Sequence, residues 1–206
     1  MHGVTMPRLR SADTPCPALR GSIGGFMAAN LAGGYPELVT ELILVNSAGP
    51  LTPNYDAAAA AVAPARKVPP AFLINAVTAA LLFYLERSIT PTLRRCYPSN
   101  PDAADAWLAG EIFRAACDKG APGVFGSVFY LPPPLPLNYL VERFGKRTLV
   151  LQGARDPLTD APGRAQKLGA LCANARVRLL QAGHCPHDEL PEEWNAAVRE
   201  LLAEAA

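Results

Sequence analysis

Three short stretches hold residues whose types suit acyl-transfer chemistry: Ser22 in "RGSIGG", Asp156 in "GARDPLTD" and His184 in "AGHCPHDE". A serine hydroxyl is a weak nucleophile until an imidazole removes its proton. The imidazole in turn needs a carboxylate to fix its tautomer and stabilise its charged form. Each residue also has a plainer use. Ser22 alone would serve as a turn or cap residue, and Asp156 as a turn residue before Pro157, with Asp160 as a second candidate acid better placed to cap a helix. His187 competes with His184 for the role of base, and with Cys185 the two histidines make part of a metal set. Structural zinc requires four ligands at regular spacings, however, and no second cluster exists in the chain, so no metal or other cofactor is expected.

These residues must be positioned by regular elements. "GGFMAANLAGGYPELV" after Ser22 has small and apolar residues at helical spacing and ends on Gly33, Gly34 and Pro36, which are stop signals. "ELILVNSAG" at 41–49, "RTLVLQG" at 147–153 and "ARVRLLQAG" at 175–183 read as strands, the first two as unbroken apolar runs of the kind buried on both faces. Helix-like segments follow at 161–172 and from Pro191 onward. Strands alternating with helices define an α/β fold with a parallel sheet. Ser22, Asp156 and His184 then fall at the carboxyl ends of its strands, where open parallel sheets gather ligands and catalysts.

Between the first and second strand patterns, 50–70 is rich in Ala and Pro, while 71–90 and 101–118 carry helical patterns. "YLPPPLPL" at 130–137 returns the chain to the sheet, because proline supplies no donor to helix or central strand. The apolar run 71–85 is interrupted by Asn75 and Thr78 and falls short of the roughly 20 residues that cross a bilayer. A buried or amphipathic helix is expected there, and no transmembrane segment.

The totals narrow the function classes. The 206 residues carry 19 Lys plus Arg against 18 Asp plus Glu, without long runs of either sign, which disfavours nucleic-acid or polybasic membrane binding. Half of the residues are hydrophobic, enough for one globular domain. The 5 cysteines are widely spaced, with no CxxC pair, and read as reduced thiols inside a cell. An intracellular location follows, cytoplasmic or plastid; the first 20 residues, with Arg8, Arg10 and Arg20, faintly resemble a transit peptide.

"GSIGGFMAANLAGGYPELVTELILVNSAG", "LVLQGARDPLTD" and "QAGHCPHDELPEEWN" together resemble the nucleophile, acid and histidine segments of the α/β-hydrolase family, in its chain order Ser, Asp, His. The wording "GSIGG" and "GHCPHDE" is most similar to plant and algal plastid-type hydrolases, a group that includes pheophytinase. The resemblance implies Ser22 as nucleophile, Asp156 as acid, His184 as base and the backbone N–H of Ile23 as an oxyanion donor. It also implies steric roles for Gly24 and Gly25, a partial core of 21–49 and 146–206, and a helical cap over 50–145. The substrate implied is a small apolar molecule with an ester-type bond, and no cofactor is required.

The segment before Ser22 departs from the family pattern. Pro15 and Pro17 stand where a central strand should run, and Arg20 replaces the first glycine of the motif, which should strain the turn. Residues 1–20 are therefore expected to be irregular. The strand at 42–46 would then become an exposed edge, and the N-terminal half-sheet and its second oxyanion donor would be missing; His2-Gly3 only echoes that loop. Beside an esterase, this leaves a truncated, inactive family member or a ligand-binding receptor of the same fold.

Overall fold

The computed structural model describes residues 15–61, 68–130 and 134–203. Strand β1 (Cys16–Gly21) leads into helix α1 (Ser22–Gly34), and β2 (Val39–Val45) follows a short 3-10 turn. A helical segment comes next: α2 (Ala57–Ala61), α3 (Ala71–Cys96), α4 (Ala106–Ala116) and α5 (Ala121–Ser127). Helix α6 (Leu137–Phe144) then precedes β3 (Thr148–Gly153), α7 (Ala161–Leu171), β4 (Ala175–Leu180), the short α8 (Pro186–Glu189) and α9 (Pro191–Ala203).

The four strands form one parallel sheet in the order β1-β2-β3-β4. Its two faces follow from the strand period of two. Leu42, Leu44 and Val150 point to the side covered by α1, α6 and α7, where they meet Ala29, Ala32, Leu140 and Leu168. Ile43, Val45, Leu149 and Leu151 point the other way, onto Trp194 and Ala197 of α9. Both central strands are apolar on both faces because helices cover both.

The region expected to be irregular contains a strand from Cys16 to Gly21. Pro17 is tolerated for two reasons visible in the pairing. Among the described residues β1 pairs with β2 alone, and its register to β2 shifts between Cys16 and Ala18, so the proline sits at an irregularity of the strand that edges the described sheet. β2, expected to be exposed, is paired on both sides and buried except at Thr40. His2-Gly3 lies outside the described residues.

Two further boundaries move. The helix expected over 71–90 continues to Cys96, with Pro91 inside it. Helix α3 has 26 residues, and an 18-residue window within it has a mean hydropathy of 1.4, the length and composition of a membrane span; 17% of that window is buried. Helix α6, within the 50–145 segment, belongs to the sheet's own core. Its Leu137, Leu140, Val141 and Phe144 pack with α1, and a Cβ on Gly33 of α1 would stand 2.9 Å from the Leu140 carbonyl. Helix α3 packs on α4 and on α5, and Leu93, Cys96, Tyr97, Ala104 and Ala109 form an apolar cluster where the C-terminal end of α3 meets α4.

Candidate active site

Ser22 is the first residue of α1, immediately after β1, and its φ of 51° lies in the left-handed region. A serine is held there against a local steric cost because its neighbours fix the turn. The Ala48 N–H donates to the Ser22 carbonyl at 2.9 Å, tying the elbow to the loop after β2. A Cβ on Gly25 would lie 2.8 Å from Ser47 Oγ and 3.0 Å from the Arg20 carbonyl, so only glycine lets α1 approach this closely. Gly24 has no such constraint. Its added Cβ would meet only the Arg20 side chain, at 3.6 Å. Arg20 itself keeps an extended backbone within β1, so the strain expected at Arg20 is carried by Ser22 instead.

No side chain caps the N-terminus of α1, and its first turn holds no acidic residue. The first N–H groups of a helix have no intrahelical acceptor and sit at the positive end of its dipole. The N–H of Ile23 belongs to this group.

Asp156 follows β3 and is buried, its side chain 0% exposed. His184 Nδ1 lies 3.0 Å from Asp156 Oδ2. The other bonds to the carboxylate come from the Leu158 N–H at 2.8 Å and the Thr159 hydroxyl at 3.1 Å. Burial pushes the Asp156 carboxyl up, but the bonds from His184, Leu158 and Thr159 outweigh it and hold the group below the usual carboxylate range. Against an ionised carboxylate, His184 must present Nδ1–H, which leaves Nε2 as an acceptor. Asp160, the alternative acid, is the N-cap of α7 and accepts from the Gly163 N–H at 3.1 Å. His187, the alternative base, packs its ring against Trp194 at 5.8 Å between centroids. Cys185 has its thiol pushed up by burial and stays protonated at neutral pH, which removes it as a nucleophile.

Several residues not singled out from the sequence hold this arrangement. Asn46, at the end of β2 with φ 39°, donates through Nδ2 to the carbonyls of Gly183 at 3.0 Å and His184 at 2.9 Å. Its Oδ1 accepts from the Gly153 N–H at 2.8 Å. One buried amide thus joins the ends of β2 and β3 to the histidine loop. The signal was an asparagine closing a buried strand, a residue type that tolerates the left-handed region and bonds backbone. Glu189, also buried, accepts from the Gly183 N–H at 2.6 Å and the Ser99 N–H at 2.9 Å. The N–H of His184 donates to the carbonyl of Cys96, the last residue of α3, at 2.9 Å. Arg164 of α7 donates to the Ser47 carbonyl at 2.9 Å, below the elbow.

A sequence model of the alpha/beta hydrolase fold matches residues 21–191, and the chain belongs to that family. The comparison with curated proteins returned no match. Among solved structures, the chain is similar to a meta-cleavage product hydrolase from Pseudomonas fluorescens, at 18% identity and a TM-score of 0.64 over 93% of this chain and 66% of that one. It is also similar to an enol-lactonase from Burkholderia xenovorans, at 19% identity and a TM-score of 0.63 over 91% of this chain and 66% of that one. A hydrolase from Pseudomonas aeruginosa shares 23% identity and a TM-score of 0.61 over 90% of this chain and 64% of its own. The chain spans just under two thirds of the length of these structures.

Proposed function

We propose that the chain hydrolyses a carboxylic-ester-type bond in a small, apolar substrate, with Ser22 as nucleophile, His184 as base and Asp156 as the residue that orients it. The observation that carries this reading is the 3.0 Å contact between His184 Nδ1 and a buried, ionised Asp156 on the family's chain order, with a serine in the left-handed conformation at the strand-to-helix turn. Ser22 Oγ attacks the carbonyl carbon as His184 Nε2 takes the hydroxyl proton. The Ile23 N–H stabilises the oxyanion. His184 returns the proton to the departing alcohol, and water, activated by the same imidazole, releases the acid from the acyl-enzyme. Within this reading α3, α4 and α5 form a cap over the site. A serine-reactive fluorophosphonate probe tests the proposal. Labelling of the wild type and its loss in Ser22→Ala are expected, and equal labelling of both proteins would sink it.

A further inference from the structure

The loop after β2, residues 46–49, opens and closes on left-handed backbone, with Asn46 at φ 39° and Gly49 at φ 112°. Such conformations persist only where the surroundings fix them. On one side the loop is pressed against α1. A Cβ on Gly25 would stand 2.8 Å from Ser47 Oγ, and one on Gly49 2.6 Å from the Phe26 ring. On the other side lies α7, whose Arg164 donates through Nη2 to the Ser47 carbonyl at 2.9 Å. The oxygen of Ser47 and the N–H of Ala48 belong to one peptide group, and that N–H donates to the Ser22 carbonyl at 2.9 Å. A peptide group is planar, so a rotation that frees Ser22 also pulls the carbonyl away from Arg164. A cation at the oxygen further polarises the group and makes its N–H a stronger donor. The guanidinium thus reaches the strained Ser22 turn through a single rigid unit.

Arg164 holds this place at a cost. Its Nε is buried without an acceptor. Burial also works against its charge and pushes its pKa down, with the Asp156 carboxylate opposing. An unpaired donor and a charge drawn out of water both subtract from stability, and an apolar side chain of similar length would avoid both. What the guanidinium adds in return is the bond to the Ser47 carbonyl.

Resting on the hydrolase reading for the role of Ser22, we infer that Arg164 is a positioning residue for the nucleophile. Its bond to Ser47 locks the Ser47–Ala48 peptide against the Ser22 carbonyl and holds Ser22 in the left-handed turn. Arg164→Met keeps the aliphatic stem and removes the donor. In that variant the rate constant for fluorophosphonate labelling at Ser22 should fall about tenfold or more, because a small misplacement of a reacting group is costly. The kcat for a p-nitrophenyl ester should fall by the same factor, with KM within about twofold of the wild type. The thermal midpoint should stay within about 4 °C, since the lost bond is offset by removal of the unpaired donor and the buried charge. Arg164→Lys restores a cation with a shorter reach, so its losses should be smaller, roughly threefold.

Amide exchange, followed by NMR on the full chain, tests the hold on Ser22 without reference to turnover. The Ala48 N–H should be protected in the wild type. It should exchange about tenfold faster or more in Arg164→Met and roughly threefold faster in Arg164→Lys, while Leu42 and Leu44 in β2 keep their rates. The lysine variant carries the test if Arg164→Met does not fold. An Ala48 amide that is unprotected in the wild type, or equally protected in all three proteins, overturns the inference even if esters are hydrolysed. So does a loss of labelling that comes with faster exchange throughout β2, because Arg164 would then support the sheet as a whole. A wild type that takes no fluorophosphonate sinks the hydrolase reading, and Ala48 exchange that still responds to Arg164 supports the hold on the Ser22 turn.

Discussion

Asn46 holds His184 by its backbone: the side-chain amide donates to the His184 carbonyl at 2.9 Å, across 138 residues of sequence. The same amide donates to the Gly183 carbonyl and accepts from the Gly153 N–H, so the loops bearing the proposed acid and base share one anchor.

Replacing that anchor should cost stability at a defined place. Asn46→Ala leaves the buried Gly153 N–H without its acceptor and puts alanine at φ 39°. A loss of about 1–3 kcal/mol is expected in urea unfolding. Amide exchange should accelerate at Gly153 before it does in the centre of β3. Unchanged unfolding and uniform exchange would show that the amide bonds contribute nothing net.

The two candidate acids should separate by experiment as they do in space. Asp156→Asn keeps the shape but removes the charge that fixes the His184 tautomer, and turnover should drop by about 10⁴-fold. Asp160→Ala removes only the cap of α7, with a cost of about 1 kcal/mol in stability and no change in turnover. Steady-state kinetics with a p-nitrophenyl ester, alongside thermal melts, reads both. The reverse pattern would move the acid to Asp160.

Asp156 should also leave a mark on acid stability. Its folded pKa is depressed, with burial opposing and the bonds from His184, Leu158 and Thr159 prevailing. The unfolded carboxyl takes its proton near pH 3.9, before the folded one does. The stabilisation is therefore fully present above about pH 5 and is lost as pH falls through the folded value. The difference in unfolding free energy between wild type and Asp156→Asn should be constant from pH 7 to 5 and narrow below about pH 4. A difference that stays level down to pH 3 would contradict the depressed value.

Of the strands legible in the sequence, β2 and β3 are those whose surroundings are apolar on both sides. "LILV" and "TLVL" are continuous hydrophobic runs because helices cover both faces of β2 and β3. β1 was not legible, since Pro17 and Arg20 contradict a central strand and only the edge position makes them acceptable. Helix α6 was assigned to the inserted segment because it adjoins it in sequence; its place against α1 depends on packing between Gly33 and Leu140 that no local pattern announces. In the candidate site, the places of Ser22, Asp156 and His184 in the chain were readable because Ser22 opens α1 and the other two lie in the loops that follow β3 and β4. Asn46 and Glu189 act through backbone groups far away in the chain or in an adjacent loop, and side-chain type alone does not record such partners.

The bonds between loops at the site are, to a large extent, bonds to main chain. A Cβ added to Gly153 would stand 1.8 Å from the Gly183 carbonyl, so the peptides bearing the acid and base loops touch directly. Cys96 likewise contributes a carbonyl to His184, which any residue would supply. The spacing of His184 and Asp156 is thus insulated from the identity of most side chains in α3, α4 and α5. Side chains in those helices can change without moving the contact between His184 and Asp156.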